Sequence, residues 1–113
     1  MEFDEPKINS KSIMLSQIGN TSTNVYGEIA NEGRILSSYT IVNKTAGTVG
    51  VNLGIKRNGV TVGIIPKDTQ IYAGGMYPYG HLPIPVGMNA YDQVVLLVTD
   101  NVDYSFTYKI PDR

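Results

Sequence analysis

The stretch Val49–Ile65, VGVNLGIKRNGVTVGII, carries the clearest structural signal, because apolar residues alternate with other residues on both sides of Asn58-Gly59. Alternation with a period of two is typical of a half-buried β-strand. Asn-Gly between two such runs is the strongest short signal for a two-residue hairpin turn, and this turn fixes the register of the strands. In that register Ile55 pairs with Val62, which gives the predicted hairpin one apolar face.

The other face of this hairpin is rich in glycine. In the same register Gly54 lies directly opposite Gly63. Glycine inside a strand lowers stability and marks a bulge or the close approach of another group. Two interpretations stay open: a bare surface covered by water, or a flat patch on which an aromatic ring or a neighbouring backbone packs.

The rest of the chain has the same organisation, with short alternating runs between clusters of turn residues and no helical periodicity. Further strands are predicted at Ser12–Gln17, Asn24–Ile29, Arg34–Asn43, Thr69–Ala73 and Leu82–Val86. Seven to nine short strands predict an all-β fold, a single antiparallel β-sandwich of the Ig-like or jelly-roll type over residues 12–113. A closed small barrel is the alternative.

A second hairpin is predicted near the end of the chain. Two strand-like runs, Gln93–Thr99 and Asp103–Ile110, flank the turn residues Asp100-Asn101. Whether the connecting loop has two or four residues, the same set of side chains from the two strands lies on a common face. That set is Val95, Leu97, Tyr104, Phe106 and Tyr108.

The first eleven residues, MEFDEPKINSK, differ from the rest of the chain because they are polar and do not alternate. They are predicted to form an extended N-terminal arm that contacts a neighbouring subunit through Phe3, Pro6 and Ile8. The segment has no apolar core of a signal peptide, so synthesis in the cytoplasm is expected.

The composition argues against most chemistry. The chain has no cysteine, one histidine, and nine basic residues against ten acidic ones. Thiolate zinc sites and cysteine nucleophiles are therefore excluded, and scattered basic residues do not favour nucleic acid as a partner. No run is long enough to span a membrane. We expect no catalytic residue, no metal and no cofactor, and hence a protein that is not an enzyme.

The densest run of unusual residues is Tyr72–Pro85, YAGGMYPYGHLPIP, which holds three of the eight tyrosines and the lone histidine. Tyrosine is enriched at protein interfaces, and proline stiffens a loop before it binds. This loop is predicted to contact a partner, or else to cover the glycine patch of its own sheet. Its candidate binding residues are Tyr72, Met76, Tyr77, Tyr79 and His81.

The stretch Tyr39–Ile110, which opens YTIVNKTAGTVGVNLGI, resembles small β-sandwich accessory proteins of tailed-bacteriophage virions. The resemblance implies a capsid decoration or cement protein that binds other virion proteins in many symmetric copies. The alternative it implies is a tail, neck or fibre component that acts as a receptor- or carbohydrate-binding module. Either role predicts localisation to the virion and a homo-oligomer or multi-copy array, with no nucleic acid and no membrane as partner.

Overall fold

The structure, a computed structural model, describes residues 12–111. These residues form ten strands and no helix. The strands are β1 (Ser12–Thr21), β2 (Asn24–Tyr26), β3 (Arg34–Asn43), β4 (Val49–Arg57), β5 (Val60–Gly63), β6 (Thr69–Ile71), β7 (Met76–Tyr77), β8 (Val86–Met88), β9 (Gln93–Val98) and β10 (Val102–Pro111).

The strands form two antiparallel sheets that pack face to face. Sheet A has the order β1-β10-β3, with β7 and β8 both pairing with the far side of β3. Sheet B has the order β2-β9-β4, with β5 and β6 both pairing with the far side of β4. The predicted all-β antiparallel sandwich is confirmed.

The core lies between the two sheets and is mostly aliphatic, with Tyr39, Phe106 and Tyr108 as its buried aromatic side chains. Each central strand turns alternate side chains inward, which is why the sequence alternates with a period of two. The largest fully buried side chains are Phe106, Leu36, Ile41, Leu53, Leu96, Val49, Val51, Val94 and Val102. Burial of this apolar surface provides the main driving force for folding.

The hairpin predicted around Asn58-Gly59 is confirmed in detail. β4 pairs with β5 in the expected register, with Ile55 opposite Val62 and Gly54 opposite Gly63. Both turn residues have positive φ, as a tight hairpin turn requires. The apolar face is buried only on β4, however. Val62 is exposed because β5 is a short outer strand of sheet B.

The second predicted hairpin is wrong. β9 pairs with β2 and β4 in sheet B, whereas β10 pairs with β1 and β3 in sheet A. The turn at Asp100-Asn101 therefore carries the chain from one sheet to the other. Each strand has a neighbour on both sides in its own sheet, an arrangement that buries more apolar surface than a terminal hairpin would.

The faces assigned to these two strands also need correction. Val94 and Leu96 point into the core, while Leu97 lies on the outer face of sheet B. Phe106 and Tyr108 are buried in the same core from the other sheet, as expected. In a hairpin, the turn length determines which side chains of the two strands share a face. A connection that crosses between sheets does not have this constraint, so the faces predicted across the turn at Asp100-Asn101 were wrong.

Other strand limits differ from the prediction where proline or long-range pairing intervenes. β3 has the predicted bounds, but β1 continues to Thr21 along its partner β10. The predicted strand Leu82–Val86 is replaced by β8, because Pro83 and Pro85 have no N–H to donate to a sheet. The pairing of β7 with β3 was not predicted.

Arg34 is the most unusual core residue, since its side chain is only 6% exposed. Its guanidinium carbon lies 5.1 Å from the ring centroid of Tyr108, and its Nη1 lies 3.8 Å from Oε1 of Glu28. Burial raises the pKa of Tyr108 to about 12, and the charge of Arg34 opposes that rise. The aromatic face offsets part of the desolvation cost of this buried cation.

The predicted arm, residues 1–11 with Phe3, Pro6 and Ile8, lies outside the described residues. Its contacts therefore stay a prediction. Within residues 12–111 no helix is long and apolar enough to cross a membrane.

Candidate partner-binding surface

The segment between β6 and β8 carries a concentrated set of exposed apolar side chains, which we call the loop surface. Its members are Tyr72, Met76, Tyr79, Leu82 and Ile84, which are between 43% and 85% exposed. Single exposed apolar residues are common on proteins, but a contiguous exposed apolar patch marks an interaction site. These five occur within thirteen consecutive residues on one edge of sheet A.

A tight turn shapes the first part of the loop surface. The N–H of Gly75 donates to the carbonyl oxygen of Tyr72 at 2.8 Å, and Gly74 has a φ of +71°. Beyond the turn, the side chains of Tyr72, Met76 and Tyr79 line a hollow of about 420 Å³. The turn thus brings together three of the five residues that the sequence predicts in this loop.

The other two predicted residues, Tyr77 and His81, contact each other instead. Met76 and Tyr77 form β7, and Tyr77 pairs with Ile41 and packs against the core. Burial raises the pKa of the Tyr77 hydroxyl, with a smaller contribution from Tyr39. The rings of Tyr77 and His81 lie 5.7 Å apart, nearly perpendicular. Tyr77 is therefore half-buried and holds the loop against the sheet.

Asn43, at the end of β3, fixes the start of the loop. Its side chain is buried, and its Nδ2 donates to the carbonyl oxygens of Ile71 and Gly47 at 2.8 and 2.7 Å. Its Oδ1 accepts from the backbone N–H of Thr45 at 2.7 Å, and its own N–H donates to the carbonyl oxygen of Gly75. One asparagine thus ties the β3–β4 turn to both sides of the turn at 72–75.

The glycine patch is not covered by this loop. A groove of about 400 Å³ on the outer face of sheet B is lined by Gly54, Gly63, Asn52, Leu53, Thr61, Ile65, Lys67, Val95 and Leu97. None of the loop-surface side chains lines it. A Cβ on Gly54 would lie 2.6 Å from the carbonyl oxygen of Val62. Glycine is required there because a backbone approaches closely, as the second interpretation allowed, and that backbone belongs to the paired strand β5.

A third concave region lies at the tip of the β4–β5 hairpin, and sequence reasoning missed it. The cleft has a volume of about 380 Å³ and is lined by Arg57, Asn58, Asn89 and the exposed Tyr91, among others. Its floor is set by Asp92, whose carboxylate accepts from Nη2 of Arg57 at 2.6 Å. The cleft is formed by two turns, at 58–59 and 89–92. The sequence indicates each turn separately, but it does not indicate that they are adjacent in space.

Asp92 also caps its own turn. Its Oδ2 accepts from the backbone N–H of Asn89 at 2.7 Å, and its side chain is almost completely buried. The hydrogen bonds from Arg57 lower the pKa of this carboxyl below its usual value, against the opposing effect of burial. The ion pair between Arg57 and Asp92 is therefore present only while Asp92 is ionised.

We expect Asp92→Asn to destabilise the fold at neutral pH and to lose this effect in acid. A carboxyl whose pKa is lower in the folded state contributes stability above its unfolded value of about 3.9, and loses that contribution as the pH falls through the folded value. Thermal melts of both proteins from neutral to acid pH measure the difference. Val62→Ala changes an exposed side chain and no ionisable group, so its effect should be independent of pH. A constant difference between wild type and Asp92→Asn at every pH would refute the role of the charge.

The predicted site residues thus separate into three groups. Tyr72, Met76 and Tyr79 share one hollow, and Tyr77 with His81 holds the loop. The third group, Phe3, Pro6 and Ile8, lies outside the described part of the chain. Leu82 and Ile84 were missed because the alternation LPIP was interpreted as a strand.

In residues 12–111 no group of three or more acidic or histidine side chains is placed to hold a metal ion. Comparison of the chain with protein-family models, with curated proteins and with solved structures gives no match.

Proposed function

We propose that this protein is a non-enzymatic structural protein of a virus particle, a capsid decoration protein that binds the particle surface in many copies. The observation that supports this proposal is the loop surface, with five large apolar side chains exposed on one edge of a β-sandwich. Tyrosine and methionine are enriched in protein interfaces, and tyrosine often dominates their binding energy. The virion role itself rests on the resemblance of Tyr39–Ile110 to phage accessory proteins.

The attachment of the loop to the sandwich favours binding. Asn43 fixes its start, the pairing of β7 with β3 fixes its middle, and β8 fixes its end. A segment that is already ordered loses little conformational entropy when it binds. Many copies on one lattice also multiply weak contacts into firm attachment, without any strong single interaction.

Co-sedimentation with purified particles of the tailed phage that encodes the chain tests this proposal. We expect saturable binding. At saturation, the number of bound copies should be a simple multiple or fraction of the number of capsid subunits. Deletion of residues 1–11 is expected to weaken this binding if the arm contacts a neighbour as predicted. Absence of the protein from capsids, or a gene outside any phage genome, would refute the capsid role.

A receptor- or carbohydrate-binding component of the tail or fibre is the second candidate, and the cleft beside Asp92 favours it. Tyr91 is exposed at its rim, and the side chains of Asn58, Asn89 and Lys56 also line it. An exposed aromatic ring beside amide and amino groups can stack on a sugar and donate hydrogen bonds to its hydroxyls. Binding to tails alone, together with binding to a glycan array, would favour this candidate over the capsid role.

A further inference from the structure

β1 is a long outer strand without the features that keep such strands from pairing. It spans ten residues and pairs with β10 on one side, without a bulge, from Ser12 opposite Pro111 to Thr21 opposite Val102. No other strand within residues 12–111 pairs with its free side. Its sequence, SIMLSQIGNT, contains no charged residue and no proline. Natural outer strands are usually short, charged, bulged or interrupted by proline, because a free edge is a template for another strand.

From Met14 to Ile18 the side chains of β1 alternate between two faces. Gln17 lies opposite Phe106 of β10, which is fully buried, so this register places Leu15, Gln17 and Gly19 on the inner face. The alternate residues Met14, Ser16 and Ile18 therefore lie on the outer face. Met14 is 57% exposed and Ile18 is 75% exposed.

We propose that β1 pairs with β1 of a second copy of this chain, antiparallel about a two-fold axis at Ser16, so that the two copies of sheet A become one continuous sheet. This geometry places Met14 opposite Ile18 of the second copy, and Ile18 opposite its Met14. Ser16 then faces Ser16 of the second copy on the axis itself. Each pairing is repeated by symmetry, as in any isologous interface.

The sequence of β1 selects this register over its neighbours. An axis at Leu15 places Met14 opposite Ser16, and an axis at Gln17 places Ile18 opposite Ser16. Only the axis at Ser16 places the two exposed apolar side chains of the outer face, Met14 and Ile18, opposite each other, and it pairs the whole of Ser12–Asn20 with itself. Directly opposed apolar side chains stabilise antiparallel strands, and they lose their contact with water together.

A second copy fits this edge better than a different polypeptide does. β1 is uncharged, so it offers no charge by which to select a foreign strand. It is self-complementary about its centre, and its free edge is unobstructed over its full length by the other strands of residues 12–111. The pairing does not depend on the virion role, because it concerns the edge of sheet A opposite the loop surface.

A single-cysteine scan tests the pairing and its register directly, because the chain has no cysteine of its own. Ser16→Cys places two thiols opposite each other on the axis, within the range of Cα distances that a disulfide spans. We expect this variant to form a covalent dimer under mild oxidation at least about tenfold faster than Tyr79→Cys on the loop surface. Met14→Cys and Ile18→Cys should cross-link to each other when mixed, and poorly to themselves. Equal rates for all four variants would overturn the proposal.

Sedimentation velocity of reduced proteins gives a second, independent measurement. Wild type is expected to be a dimer, and Ile18→Lys a folded monomer with an unchanged far-ultraviolet circular dichroism spectrum. Leu82→Lys, which adds the same charge at an apolar position that is also more than 70% exposed, is the matched control and should stay a dimer. A monomeric wild type, a dimeric Ile18→Lys or a monomeric Leu82→Lys would overturn the pairing. A dimer that fails to bind capsids would instead count against the virion role alone.

Discussion

Simultaneous replacement of Tyr79 and Leu82 by serine is expected to weaken binding to particles by at least about 100-fold. Both side chains are at least 80% exposed, and they belong to the loop surface. Their replacement removes the two most exposed apolar side chains of the loop surface, and neither side chain belongs to the core. The melting temperature should therefore stay within a few degrees of the wild-type value.

Co-sedimentation over a range of protein concentrations measures the apparent affinity, and thermal melts report the fold. The matched control is the double replacement of Val60 and Val62 by serine, because these side chains are 63% and 60% exposed on the β4–β5 hairpin, outside the loop surface. Unchanged binding by the control and a large loss for the loop variant would locate the interface. An equal loss for both would mean that general surface hydrophobicity, rather than the loop surface, drives attachment.

Asn43→Ala is expected to lower the free energy of unfolding by about 2–4 kcal/mol. The substitution removes the side-chain donor to the carbonyl oxygen of Ile71, together with the acceptor for the N–H of Thr45. Polar groups left unpaired in the interior retain their full desolvation cost. Since Ile71 and Gly75 border the turn that begins the loop surface, binding should weaken as well.

Urea unfolding of wild type and variant measures this difference in stability. Asn52→Ala is a suitable control, because the side chain of Asn52 makes two hydrogen bonds, both with Asp68 at an exposed position. We expect it to cost less than about 1 kcal/mol, since water replaces both bonds. Similar costs for the two variants would show that the burial of Asn43 is not what makes its bonds valuable.

Local patterns predicted the parts of this fold that depend on neighbours in sequence. The Asn58-Gly59 turn determines the β4–β5 register by itself, and the alternation of β3 gives its bounds. The turn at Asp100-Asn101 is different, because a hairpin and a crossing between sheets begin with the same turn residues. Which one forms depends on the strands that flank β9 and β10, and these come from distant parts of the chain.

The same limit applies to the candidate site. Glycines and prolines indicated that residues 72–85 leave the strand, and Tyr72 and Tyr79 are exposed as that predicts. The inward position of Tyr77 follows from its pairing with Ile41, which lies far away in sequence. Asn43 and Asp92 likewise gain their roles only when their distant partners are in place. A run of sequence indicates that a loop is present, but tertiary contacts decide which of its side chains face solvent.

The strand order of sheet A determines the distance between the two loop surfaces of the dimer. β1 and β7 lie on opposite edges of this sheet, with β10 and β3 between them. When two copies join at β1, seven inter-strand steps separate the two β7 strands, and at about 4.8 Å per step this amounts to roughly 34 Å. The dimer would then hold two loop surfaces, one on each side, at a fixed separation. It would select pairs of attachment points by their separation, and a lattice whose repeat does not match that length would bind only one end at a time.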